Sequence, residues 1–131
     1  MAEPEKTEKI TINLGLVDLG QIDLLVQEGF YSNRTDFIRT AIRNQLATHA
    51  EVVRQTVARK TMVLGLQHYT RRELEAVRAA GEKLQINVLG LASIAEDVSP
   101  ELALATIDSI VVLGAFRASP EVKAALTGRI T

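Results

Sequence analysis

Along the first half of the chain the apolar positions change period. From Lys9 they alternate, with Ile10, Ile12 and Leu14 on one side and Lys9, Thr11 and Asn13 on the other, the two-residue period of a half-buried strand that Gly15 ends. Leu16, Leu19, Ile22, Leu25 and Val26 then recur at spacings of three and four, which predicts a helix from about Asp18 to Glu28 with Gly29 as its stop. Beyond the loop Gly29–Asn33, the residues Phe37, Ile38, Ala41, Ile42 and Leu46 form the apolar stripe of a second helix. Ser32 or Asn33 can cap it, and Asn33 with Asp36 three residues on has the form of a capping box. Neither Gly nor Pro occurs in residues 35–60, so one long helix and a helix broken near Thr48 both fit, with residues 49–60 as a connecting helix. Residues 1–7 are polar, contain Pro4 and have no period; they read as a flexible arm.

The second half is organised differently. Thr61-Met-Val-Leu-Gly65-Leu, Ile86-Asn-Val-Leu-Gly90-Leu and Ile110-Val-Val-Leu-Gly114-Ala align on a shared glycine at spacings of 25 and 24 residues. Each is followed by a helix start with a hydroxyl cap and a nearby Glu: Thr70 with Glu73, Ser99 with Glu101, and Ser119 with Glu121. In the last two, Pro100 and Pro120 occupy the first helical position, where a missing N–H costs nothing. Residues 61–131 therefore read as strand-turn-helix repeats stacked into a small β/α solenoid, with Val63, Val88 and Val112 in one ladder and the three glycines in another. Shared β-propensity alone could also give three similar strands in an ordinary α+β domain.

Composition narrows the function classes. The 131 residues are 47% hydrophobic and 24% charged, which is globular, and no apolar run approaches the ~20 residues of a membrane helix. With no cysteine there is no disulfide, thiolate metal site or thiol nucleophile, which fits a reducing cytoplasm. The acidic, polar start differs from a secretory leader, so none is expected. The net charge of −1 runs against the basic balance usual in nucleic-acid binders, yet Lys9, Arg34, Arg39 and Arg43 can gather on one face, and the local field governs phosphate binding.

A six-residue strand at Lys9–Leu14 has no nearby partner in its own chain. Two copies from two chains can pair antiparallel, burying Ile10, Ile12 and Leu14 on the helices and presenting Lys9, Thr11 and Asn13 outward on a ribbon of the width a DNA major groove admits. The run Lys9-Ile-Thr-Ile-Asn-Leu14, then Ile22-Asp-Leu-Leu-Val26, then Gly29-Phe-Tyr-Ser-Asn-Arg-Thr-Asp-Phe-Ile-Arg39 with Ala41-Ile-Arg43, resembles the ribbon-helix-helix family of regulators, often called CopG-like, over about residues 8–48. The resemblance implies an α+β fold whose N-terminal part is an intertwined dimer on double-stranded DNA. It makes Lys9, Thr11 and Asn13 the base readers, and Ser32, Asn33, Arg34 and Thr35 the phosphate anchor at the start of the second helix, where free amides and the helix dipole favour anions. Where such proteins often have Pro after the strand, this chain has Gly15-Leu16.

Arg39 and Arg43, four residues apart, are possible phosphate contacts, with a solvated face or a pair with Asp36 equally consistent. Tyr31 reads as a turn residue packed on the dimer, and Phe30 and Phe37 as core. His49 and His68 lack neighbouring ligands at a metal spacing, the Val-Leu-Gly runs lack the features of a phosphate loop, and no nucleophile pattern is present, so neither a metal, a cofactor nor an enzyme is expected. The expectation is a cytoplasmic transcriptional regulator, a repressor, acting as a dimer or adjacent dimers, with residues 61–131 driving assembly. An architectural or scaffold protein that forms large oligomers, and a regulator whose repeat domain senses a small molecule, are the alternatives.

Overall fold

The computed structural model describes residues 6–131. They form two units, one spanning Lys9–Thr56 and the other Val57–Thr131 with the preceding segment up to Glu8. The arm read over residues 1–7 lies mostly outside the described residues; at its described end the Thr7 carbonyl accepts a hydrogen bond from Arg117 at 3.2 Å.

The first unit is helical. α1 (Leu16–Gln27) begins two residues before the position predicted, because the Gly15 carbonyl already accepts the Leu19 N–H. It stops where expected. Gly29 takes a φ of 86°, and the Gly29 and Phe30 amides reach back to the Val26 and Leu25 carbonyls, a closing turn that suits a residue without a Cβ. α2 (Arg34–Thr48) is capped by Asn33, whose side chain accepts the Asp36 N–H at 2.8 Å, while the Asp36 carboxylate takes the Ser32 N–H at 2.9 Å. α2 and α3 (Ala50–Arg59) are separate, which settles the break near Thr48. There the Thr48 hydroxyl bonds back to the Asn44 carbonyl, a competition that bends helices.

Burial in this unit departs from the sequence reading. Ile22, at 7% exposure, is its one buried side chain among the described residues. Residues 9–14 carry no regular secondary structure in the single chain, and Ile10 and Ile12 are 75% and 59% exposed. The alternation is real, but a lone strand has no donor and acceptor row to pair with and no face to bury. Phe30, expected in the core, is 71% exposed; it lies just past the end of α1, where its backbone closes the turn and its ring is left largely in water. Phe37 is half-buried and meets Tyr31 edge to face, ring centres 5.0 Å apart, so Tyr31 packs within its own chain.

The second unit holds β1 (Val63–Tyr69), β2 (Leu84–Ile94) and β3 (Ile107–Arg117) in one parallel sheet of that order. α4 (Arg71–Ala79) follows β1, α5 (Pro100–Thr106) follows β2, and α6 (Pro120–Leu126) follows β3. The register is the one the repeat predicts: Val63 pairs Val88, which pairs Val112, and Gly65 pairs Gly90, which pairs Gly114. Thr70, Ser99 and Ser119 each cap their helix by accepting an N–H from three residues on. The strands run beyond the repeated hexapeptides, and β3 follows α5 without a connecting residue.

Ile86 and Val88 from β2 and Ile107 and Ile110 from β3 pack with Leu74, Leu102, Val122 and Leu126 of the helices in one buried core. The opposite face of the sheet leaves Leu64, Leu66 and Leu113 exposed. Past α6 the chain turns back, so that Ile130 bridges Ile110 in parallel and the Arg129 guanidinium donates to the carbonyls of Leu104 and Ile107 at 2.6 and 2.7 Å, satisfying the end of α5. No helix among the described residues is long and apolar enough to cross a membrane.

Candidate nucleic-acid interface

Lys9, Thr11 and Asn13 are all exposed, on the segment that lacks secondary structure in the single chain. They alternate with Ile10, Ile12 and Leu14, which are exposed as well. Both faces of the segment are therefore open, and only pairing with another strand would distinguish a buried side from a wet one.

At the start of α2, Ser32, Asn33, Arg34 and Thr35 are exposed together. The Asn33 side chain is committed to the cap and the Ser32 N–H to Asp36. The Arg34 and Thr35 amides occupy the first two helical positions, which have no carbonyl a turn below and here no acceptor among the described residues. That pair of amides, with the helix dipole behind it, is what an anion would meet.

Arg34, expected in the phosphate anchor, is engaged within the chain. Its guanidinium grips Asp23 of α1 with two parallel bonds, Nε to Oδ1 at 2.7 Å and Nη2 to Oδ2 at 2.8 Å. The hydrogen bond from Arg34 holds the Asp23 carboxyl below its ordinary range, its partial desolvation opposing this, and the same bond raises Arg34 further. Both side chains remain about half exposed, so the pair is a link between α1 and α2 that water and salt compete for. The two residues are eleven apart on different helices, and no local sequence signal marks them. Arg39 and Arg43 are exposed and make no ion pair among the described residues; Asp36, the candidate partner for Arg39, is engaged at the cap instead.

The sequence matches the ribbon-helix-helix transcriptional regulator family over residues 5–123. The chain belongs to that family. Ribbon-helix-helix proteins are DNA-binding transcriptional regulators, and the match runs through the parallel sheet into α6, well past the 8–48 region that carries the sequence resemblance. No curated protein and no solved structure matches the chain.

Two further polar features of this ribbon-helix-helix regulator lie in the repeat unit. His68 Nδ1 and Ser93 Oγ are 2.7 Å apart on neighbouring strands, a contact the 25-residue repeat spacing would have located. Ser93 is buried in the middle strand, and the pair is a cross-strand link. Beside it is an open cleft of about 470 Å³ lined by His68, Thr70, Arg71, Glu75 and Asp97 among others. Arg71 lies within 4 Å of both Glu75 and Asp97, so the charges there offset one another.

Proposed function

We propose that the protein is a repressor that reads operator DNA in the major groove with a dimeric antiparallel β-ribbon. Residues 9–14 of two chains form the ribbon. Ile10, Ile12 and Leu14 face the helices, while Lys9, Thr11 and Asn13, doubled by the dimer, face the bases. A lysine suits guanine acceptors, an asparagine pairs bidentately with adenine, and the threonine methyl meets thymine. The first-turn amides of α2, with Ser32, Asn33, Arg34 and Thr35 around them, hold a backbone phosphate, and Arg39 and Arg43 add phosphate contacts.

The observation that carries this reading is the exposure of the alternating apolar residues Ile10, Ile12 and Leu14 in a unit with a single buried side chain. Such a unit needs a second chain to supply its core, and two-fold pairing of the 9–14 segments does so while leaving Lys9, Thr11 and Asn13 outside. Charge supports the emphasis on base reading. Residues 9–56 carry five basic and five acidic side chains, so a single dimer draws modest help from phosphates. Several dimers acting together compensate, and residues 61–131 are the part that would gather them. A scaffold reading shares that assembly role and differs in having no sequence preference.

Asn13→Ala is the test. Specific operator binding is expected to weaken by roughly 1 to 3 kcal/mol, with the oligomeric state and binding to random DNA retained. Unchanged operator affinity would remove Asn13 from the reading surface, and equal affinity of the native protein for operator and random DNA would favour the scaffold.

A further inference from the structure

The two edges of the parallel sheet differ in a way that follows from the repeat. At Gly90 a Cβ would run into the carbonyl oxygen of Gly65, and at Gly114 into that of Gly90. Each glycine thus accepts the backbone of the strand before it, and the ladder has a direction from β1 to β3. The corresponding place beside Gly65 is open, with nothing within 4 Å, although Gly65 holds the same extended, positive-φ conformation (136°, against 140° at Gly90 and 118° at Gly114). At the other edge, β3 ends the ladder.

The side chains on the helix-free face repeat this asymmetry. Leu66, Leu91 and Ala115 share one row of the register. Leu91, with a strand on each side, is 6% exposed, whereas Leu66 on the β1 edge is 54% exposed. In the next row, Leu64 on β1 and Leu113 on β3 are both exposed, with Leu89 between them half-buried. β1 is also shorter than its neighbours, beginning at Val63 opposite Val88 and Val112, while at the β3 edge Ile130 pairs with Ile110 and Arg117 bonds to Thr7 and Glu8, leaving Val112–Ala115 between them with no strand pairing on that side among the described residues. The uncovered stretch starts at the row where β1 starts.

We propose that the β3 edge of one chain pairs in parallel with the β1 edge of a second copy, continuing the sheet from chain to chain. The partner is fixed by what already lies on either side of β2. Val-Leu-Gly strands pair with Val-Leu-Gly strands in the register 63, 88, 112, and the next step of that register sets Val112 beside Val63 of the second copy. Gly114 then offers its carbonyl to the open place at Gly65, Leu113 packs beside Leu64, and Ala115 beside Leu66. The contact is head-to-tail, so it propagates into a ring or a filament rather than stopping at two copies. It also ends the exposure of two apolar strand edges. This inference rests on the assembly role proposed above for residues 61–131 and gives that assembly its interface.

The chain contains no cysteine, so cross-linking reads the contact cleanly. Neighbouring strands are about 4.8 Å apart, within disulfide reach, and Leu64 and Leu113 of one chain, two strands apart at roughly 10 Å, lie beyond it. On mild oxidation of the full chain, Leu64→Cys with Leu113→Cys is expected to give a ladder of covalent multimers. Either substitution alone is expected to stay uncross-linked, and a mixture of the two single variants to stop at covalent dimers. Leu64→Cys with Leu89→Cys, neighbours within one chain, shows that this register supports the bond. The proposal is overturned if the Leu64→Cys variant alone cross-links as readily as the double variant, or if the double variant stays monomeric while the Leu64–Leu89 control closes. Independently, Leu113→Lys is expected to lower the solution mass to that of the ribbon dimer, and an unchanged mass would also overturn it. Either failure alongside intact operator binding would count against this interface alone, and loss of operator preference with a normal ladder would count against the reading role alone.

Discussion

The two units of the protein solve the same problem in opposite ways. Residues 57–131 bury a full core, with Leu74, Ile86, Ile107, Ile110, Val122 and Leu126 almost completely out of water, because each strand-helix repeat finds its partner in the next repeat of the same chain. Residues 9–56 have an apolar pattern no less regular, yet bury only Ile22. A period in the sequence specifies which face wants to be buried and says nothing about where the covering surface comes from. In the second unit the answer is 24 or 25 residues away; in the first, the proposed dimer would supply it from another molecule.

The sharpest break in that contrast is one disruptive substitution on each side of it. Ile12→Lys is expected to abolish the ribbon dimer and operator binding altogether while leaving the helix and sheet signal of residues 57–131 in place, as circular dichroism with sedimentation would show. Leu74→Ala strikes the self-contained core instead, and by the usual cost of truncating a buried leucine it should lower stability by about 2–5 kcal/mol in chemical unfolding, independent of protein concentration. If the Leu74→Ala loss scaled with concentration and the Ile12→Lys loss did not, the assignment of the two cores would be reversed.

A smaller effect comes from the junction after α3. Thr61 is the one described residue other than glycine with a left-handed backbone, φ 53°, and its amide with that of Met62 closes the helix onto the Ala58 and Val57 carbonyls. A β-branched residue is poorly suited to that conformation, so Thr61→Gly should stabilise the repeat unit by about 1 kcal/mol, seen as a raised unfolding midpoint. No change would mean that the turn opens at little cost.

What could be read in advance follows the same division. The caps at Asn33, Thr70, Ser99 and Ser119 and the stop at Gly29 are decided within four residues, and the ladder of Val63, Val88 and Val112 is decided by a repeat visible by eye, so both were legible. The exposure of Phe30 was not, because its hydrophobicity points to a core that the single chain does not contain. Nor was the Asp23–Arg34 pair, which depends on how two helices meet. The C-terminal bridge of Ile130 to Ile110 escaped for a further reason: its spacing is shorter than the repeat and its segment lacks the Val-Leu-Gly pattern. Of the candidate site, the Asn33 cap that starts α2 was legible, while the engagement of Arg34 was not; the reading roles of Lys9, Thr11 and Asn13 stay a proposal, since both faces of residues 9–14 are exposed in the single chain.

The Asp23–Arg34 pair supplies the smallest expected effect and refines the charge reading of the DNA face. The Asp23 carboxyl is held below its ordinary range in the folded chain, so its contribution to stability is present above the unfolded carboxylate value, about 4, and is lost as pH falls through the lower folded value. Asp23→Asn should remove that acid dependence by removing the small stabilisation that this half-exposed pair supplies at neutral pH, and should free Arg34. Salt titration of DNA binding would then show a slope steeper by about one ion per site. A shallower slope would mean that Arg34 needs Asp23 to be positioned for phosphate.

Amide hydrogen exchange across Lys9–Leu14 in the intact, DNA-free protein bears most directly on the claim that this segment folds only with a second chain. The expected result is protection of these amides at concentrations where the dimer is populated, with protection lost on dilution while the amides of β2 and β3 remain protected. Free exchange of residues 9–14 at every concentration would contradict the ribbon, and with it the account of how this protein reads DNA.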